Sequence, residues 1–196
     1  MKIYIIIFIV MSLIFVSLPA CKTTESNGSI ALSKQINQIL DKTNTEEFWL
    51  KVDRVYTDID ENITNTNILN TKEAEFLIEH KEISFPLIFE RFNQLEASGK
   101  IEESRENRLY DIILSLYFLI FKETKSIESI PYLSRYLSRI DYKLYSSIKP
   151  LSVDIAEDAA KAITDGQVVG VGVSTKDTAT ELQKWYEEYK KKTQPK

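Results

Sequence analysis

The residues able to do chemistry are few and scattered. The 196-residue chain holds one histidine, His80, and one cysteine, Cys21. A lone histidine excludes a two-histidine mechanism and a metal cage built on several imidazoles. Within "EFLIEHKE" it reads as a polar helix residue, with Glu79 and Glu82 near it but no nucleophile. Serine catalysis would call for a serine on a tight, glycine-flanked turn, and none stands near a helical start. "DIDEN" (58–62) spaces Asp58, Asp60 and Asn62 like the start of a calcium loop. Such a loop needs Gly sixth and Glu twelfth, where this chain has Ile63 and Leu69. "GQVVGVGVSTKD" (166–177) is glycine-rich, but it lacks both G-x-G-x-x-G and Gly-Lys-Ser/Thr. It reads as an extended connector or small strand. No catalytic residue, metal ligand or cofactor is assigned.

One constellation points to binding. In "YLSRYLSRIDYKLYSSIKP", Arg135, Arg139 and Lys143 recur every four residues and line one helix face. Tyr132 and Tyr136 lie beside or opposite them. Basic and tyrosine side chains together can hold an anionic headgroup, a glycan or an acidic protein surface. The alternative is a solvated face with its rings packed below. Arg135, Arg139, Lys143, Tyr132 and Tyr136 are the candidate patch. The formal net charge is -4, against what a nucleic-acid binder needs.

The cysteine has a different setting. "MKIYIIIFIVMSLIFVSLPAC" begins with Lys2, continues as an apolar run and closes on Leu18-Pro19-Ala20-Cys21. This is the layout of a secretory signal. The last four residues resemble the lipobox of bacterial lipoproteins, matching at Leu18, Ala20 and Cys21. The resemblance implies removal of residues 1–20 by cleavage between Ala20 and Cys21. It also implies attachment of a diacylglyceryl group, with palmitate-type chains, to the Cys21 thiol. Two or three acyl chains anchor a protein stably where one does not. Lys22, in place of an aspartate, implies the periplasmic face of the outer membrane in a two-membrane cell. An uncleaved membrane helix and ordinary secretion are the other readings of the segment. Residues 22–29, "KTTESNGS", read as a flexible tether reaching about 16 Å.

The elements that must position any site are helical. With five glycines and five prolines, and 43% hydrophobic residues, the composition leans to helix. Leu32, Ile36, Ile39 and Leu40 share one face of a helix over 30–42. Phe48, Trp49, Val52, Val55, Tyr56 and Ile59 follow at helical spacing, up to an Asn-rich break at 61–70. Helices are expected at about 72–82 and at 84–97, the latter with Pro86 in its first turn. "LYDIILSLYFLIF" (109–121) is apolar nearly all round, too short to span a membrane and suited to a buried central helix. Further helices fall at about 130–140, at 151–164 and at 177–191, the last with a buried stripe of Leu182, Trp185, Tyr186 and Tyr189.

A weak internal repeat runs through these. Phe76-Leu77-Ile78 matches Phe118-Leu119-Ile120, and Ser84-Phe85-Pro86 matches Ser129-Ile130-Pro131. Together with the Ala-rich "DIAEDAAKAI", the matched parts look like HEAT repeats over about 72–165, where a proline opens the second helix of each pair. The expected fold is therefore all-α: an irregular helical bundle or a short HEAT-like α-solenoid of about 7–8 helices, forming a single domain over 30–196. The function expected of it is a membrane-anchored envelope lipoprotein that binds a protein partner or acts as a scaffold, an immunity-type inhibitor being one form. An envelope hydrolase using carboxylates and a structural lipoprotein linking membrane and cell wall are the alternatives.

Overall fold

The apolar run at 109–121 dictates the centre of the molecule. A helix with no polar stripe has to be covered on every side. In the computed structural model, which describes residues 23–52, 65–140, 149–168 and 174–193, that run lies in α7 (Arg108–Thr124). Every residue from Asp111 to Phe121 is buried. Asn107 starts the helix, its side chain accepting a hydrogen bond from the Leu109 N–H at 3.1 Å. Lys125 stops it in the left-handed region at φ 48, and the Ser126 N–H returns to the Phe121 carbonyl at 3.1 Å.

The other helices are, in chain order, α1 (Thr23–Thr43), α2 (Glu46–Lys51), α3 (Asn65–Leu69), α4 (Lys72–Glu79), α5 (Lys81–Ala97), α6 (Lys100–Glu103), α8 (Ile130–Ile140), α9 (Leu151–Ile163) and α10 (Thr175–Thr193). A 3-10 turn, Ile127–Ser129, leads into α8. The all-α expectation holds, with ten α-helices among the described residues. The number exceeds the expected one because the short helices α3 and α6 carry too few residues to show a period.

Contacts between helices follow an alternating order. α4, α7 and α9 pack side by side, α7 with α9 most extensively. On the other layer α8 packs along α10, where the Ser134 hydroxyl donates to the Ala179 carbonyl at 3.0 Å. Phe89 and Phe92 of α5 close on Tyr132 of α8, the Phe89 and Tyr132 rings stacked 4.1 Å apart. Phe118 of α7 meets Tyr136 of α8 across the layers at 4.7 Å. Successive helix pairs thus lie against one another, with α6 and the 3-10 turn making the stack irregular.

Several boundaries differ from expectation. The helix expected from residue 30 begins at Thr23, so residues 23–29 of the supposed tether are helical. Polar residues extend a helix cheaply once a nucleus exists, because each adds a hydrogen bond for one residue fixed. The chain divides into two compact units, 1–34 and 35–196. In α1 full burial begins at Ile36, and Ile30 is 64% exposed. The expected long helix after residue 46 is α2, which ends at Lys51; Val55, Tyr56, Ile59 and the "DIDEN" motif lie outside the described residues. The Asn-rich stretch contains α3, with Ile68 buried. α5 begins at Lys81, one turn earlier than expected, so Pro86 is its sixth residue rather than part of the first turn. Pro131, its counterpart in the repeat, is the second residue of α8. The glycine-rich segment starts with Asp165 (φ 49) and Gly166 (φ 79) closing the end of α9; residues 169–173 lie outside the described residues.

Candidate functional site

The site is a groove at one end of the stack, built by three segments distant in sequence. The first turns of α5 bring Lys81, Glu82, Phe85 and Pro86. The α7–α8 connection brings Thr124, Lys125, Ser126, Ile127 and Glu128, and the last part of α10 brings Tyr186, Tyr189 and Lys190. The groove encloses about 560 Å³, room for a few side chains.

Its floor is fixed by packing. Phe85 stands edge-on to Phe121 at 5.7 Å and leans on Phe89 at 5.9 Å. On α10, Tyr189 stacks on Trp185 at 5.3 Å, and the Trp185 indole N–H donates to Gln167 Oε1 at 3.0 Å. The expected buried stripe of α10 is therefore corrected. Leu182 is buried, together with Thr175, Thr178 and Ala179, while Trp185, Tyr186 and Tyr189 are half-buried. Small residues at the near turns let α8 approach closely, and the rings further along remain as a wall.

The rim carries both charges. Lys125 binds Asp165 at 3.0 Å. Lys190 binds Glu187 at 2.7 Å and lies over the Tyr186 ring at 4.7 Å. Lys81, Glu82 and Glu128 enter no ion pair among the described residues. Pro86 has no N–H, so the Glu82 carbonyl one turn earlier lacks its intrahelical donor.

A second cleft, of about 370 Å³, is lined by Arg105, Arg108, Asp111, Lys149 and Asp154 among others. Asp111 is 7% exposed, and burial raises its carboxyl above the usual carboxylate range, against the opposing hydrogen bonds from Ser152 and Leu151. Such a group is what acid–base chemistry would use. Here its oxygens are already taken. Oδ1 accepts from the Ser152 N–H at 2.8 Å and from the Ser152 hydroxyl, and Oδ2 accepts from the Leu151 N–H at 3.2 Å. Asp111 of α7 thus caps the first turn of α9, whose own preceding residue, Pro150, has no side-chain acceptor.

Comparison with protein-family models, with curated proteins and with solved structures returned no match. The site stands on its own geometry.

The structure takes the tyrosine–arginine patch apart. Tyr136 is fully buried, its hydroxyl hydrogen-bonded to Ser152, so it faces the core and belongs to no surface. Tyr132 is half-buried between Phe89 and the Arg135 guanidinium, which lies 4.7 Å from its ring centre. Arg135 reaches Glu96 at 3.4 Å and Asn93 at 2.7 Å. Arg139 binds Glu96 at 2.9 Å and Glu102 at 2.8 Å. Its hydrogen bond lowers the Glu102 carboxyl below the usual range. The two arginines are committed to tying α8 to α5 and α6. Lys143, Cys21 and Ala20 lie outside the described residues. His80 is not the helix residue expected: it is the turn that joins α4 to α5, its ring 4.4 Å from Phe76.

Taken singly, the groove residues carry no site signal in the sequence, because each has an ordinary local reading. Pro86 looks like a first-turn proline and Tyr186 and Tyr189 like core positions. The one legible signal was that three aromatic residues within five positions is more ring than a terminal helix needs for packing.

Proposed function

We propose that this chain is a lipid-anchored protein of the cell envelope whose stacked helix pairs serve as a partner-binding module. The groove carries the reading. It has an aromatic floor, an open mouth, and rim charges that enter no ion pair among the described residues. Stacked helix pairs commonly work through such surfaces. The address rests on the lipobox-like Leu18-Pro19-Ala20-Cys21. No helix among the described residues is long and apolar enough to cross a membrane, so an anchored chain would be held by its N-terminal end.

The test is a photo-crosslinking amino acid placed at Ile127 in the groove and, separately, at Asp158 on the exposed face of α9. In envelope membranes the Ile127 position should give a discrete crosslinked species that the Asp158 position does not. Equal, diffuse labelling from both would contradict the reading.

A further inference from the structure

We infer that the groove receives a basic peptide segment of the partner protein, with an arginine or lysine seated between Glu82 and Glu128 and its aliphatic stem against the rings. The inference rests on the groove's being the binding site and goes further in naming the chemistry of what enters it.

The argument begins with charge already spent. Two of the three groove lysines hold carboxylates of their own chain, Lys125 with Asp165 and Lys190 with Glu187. What is left unpaired among the described residues is one cation, Lys81, and two anions, Glu82 and Glu128. Both glutamates are exposed. The unsatisfied charge therefore favours an incoming cation, and an acidic ligand would meet both carboxylates.

The rings agree. Phe85, Tyr186 and Tyr189 present aromatic surface to the groove, and a cation over a tyrosine or phenylalanine face is attracted by the ring quadrupole. The groove demonstrates the contact itself, since Lys190 already lies over Tyr186. Long basic side chains also cover apolar surface with their methylene stems while the charged end stays at a polar rim.

The backbone supplies the remaining element. The Glu82 carbonyl has lost its intrahelical donor to Pro86. A backbone acceptor left open prefers a donor, and a peptide offers one from each main-chain N–H or from a guanidinium. Two unpaired carboxylates and three rings lining one groove, beside a carbonyl that has lost its helical donor, describe a receptor for a basic peptide better than for an acidic or purely apolar one.

The test is selection of displayed random heptapeptides on the full-length chain in detergent micelles. The selected peptides are then measured by fluorescence anisotropy. They should be enriched in arginine or lysine next to an aromatic or aliphatic residue. Their affinity should fall at least tenfold on the double variant Glu82→Gln/Glu128→Gln, severalfold on Pro86→Ala, and not at all on Asp158→Asn, which lies outside the groove. Far-UV circular dichroism and the thermal midpoint of each variant report that the fold is kept. Enrichment of aspartate or glutamate overturns the inference, and so does a basic pool that binds the double glutamine variant equally well. Peptides that crosslink from Ile127 but carry no basic residue sink this inference and leave the groove standing. If none crosslinks from Ile127, both fall.

Discussion

At the scale of single residues, two buried polar groups make opposite demands. Asp111 is satisfied by three donors from α9, and an alanine there would strand the Leu151 and Ser152 N–H groups. Asp111→Ala should destabilise the domain by about 1–3 kcal/mol in urea titration. Its pH signature has a definite sign. The folded carboxyl titrates above its unfolded value, so its stabilising contribution is fully present below the unfolded pKa. That contribution is lost as pH rises through the folded one. The stability difference between wild type and Asp111→Asn should therefore shift against wild type as pH rises through that window. A shift of opposite sign would mean that the three hydrogen bonds outweigh burial. Thr178 is the contrary case: its hydroxyl is buried with no hydrogen-bond partner among the described residues. Thr178→Val should leave stability unchanged or raise it by about 1 kcal/mol, read as an unchanged or higher thermal midpoint. Neither role was legible in the sequence. Asp111 looked like an interruption of an apolar run, and its partners lie forty residues away.

At the scale of elements, the sequence disclosed helix faces better than helix ends. Ile130, Leu133, Leu137 and Ile140 form the buried face of α8, as their spacing predicts, and α7 is buried as its lack of polar residues requires. The ends were harder, because caps and extensions depend on partners outside the segment. Residues 23–29 have no period, yet they continue a helix whose later turns are packed. Pro86 moved from first turn to second because α4 hands over directly to α5 at His80. The arginine ladder shows the same limit. Its period was legible, but its acceptors, Glu96 and Glu102, belong to other elements. Glu96→Gln should cost only about 0.5–1 kcal/mol, since the arginines it holds are well exposed and screened. A double-mutant cycle with Arg139→Gln should recover most of that as coupling, measured by denaturant midpoints. By contrast, Leu116→Ala in the centre of α7 should cost about 2–5 kcal/mol.

At the scale of the molecule, composition and periodicity determine an all-α stack, because one central apolar helix must be covered and the amphipathic helices supply the cover. The groove was not legible at this level. It arises where residues 81–86, 124–128 and 186–190 converge at one end of the helix pairs, and no local pattern signals such a juxtaposition. The proposed N-terminal address rests on a short chemical motif that owes nothing to the fold. It also states the central claim most sharply, that this helix stack works from a lipid anchor on Cys21. The direct measurement is metabolic labelling with radioactive palmitate of cells expressing the full-length chain or Cys21→Ser. The wild-type chain should incorporate label and run as the shorter, processed form, while Cys21→Ser should stay unlabelled and uncut. Label on the serine variant, or a wild-type chain that is processed but never labelled, would contradict the account.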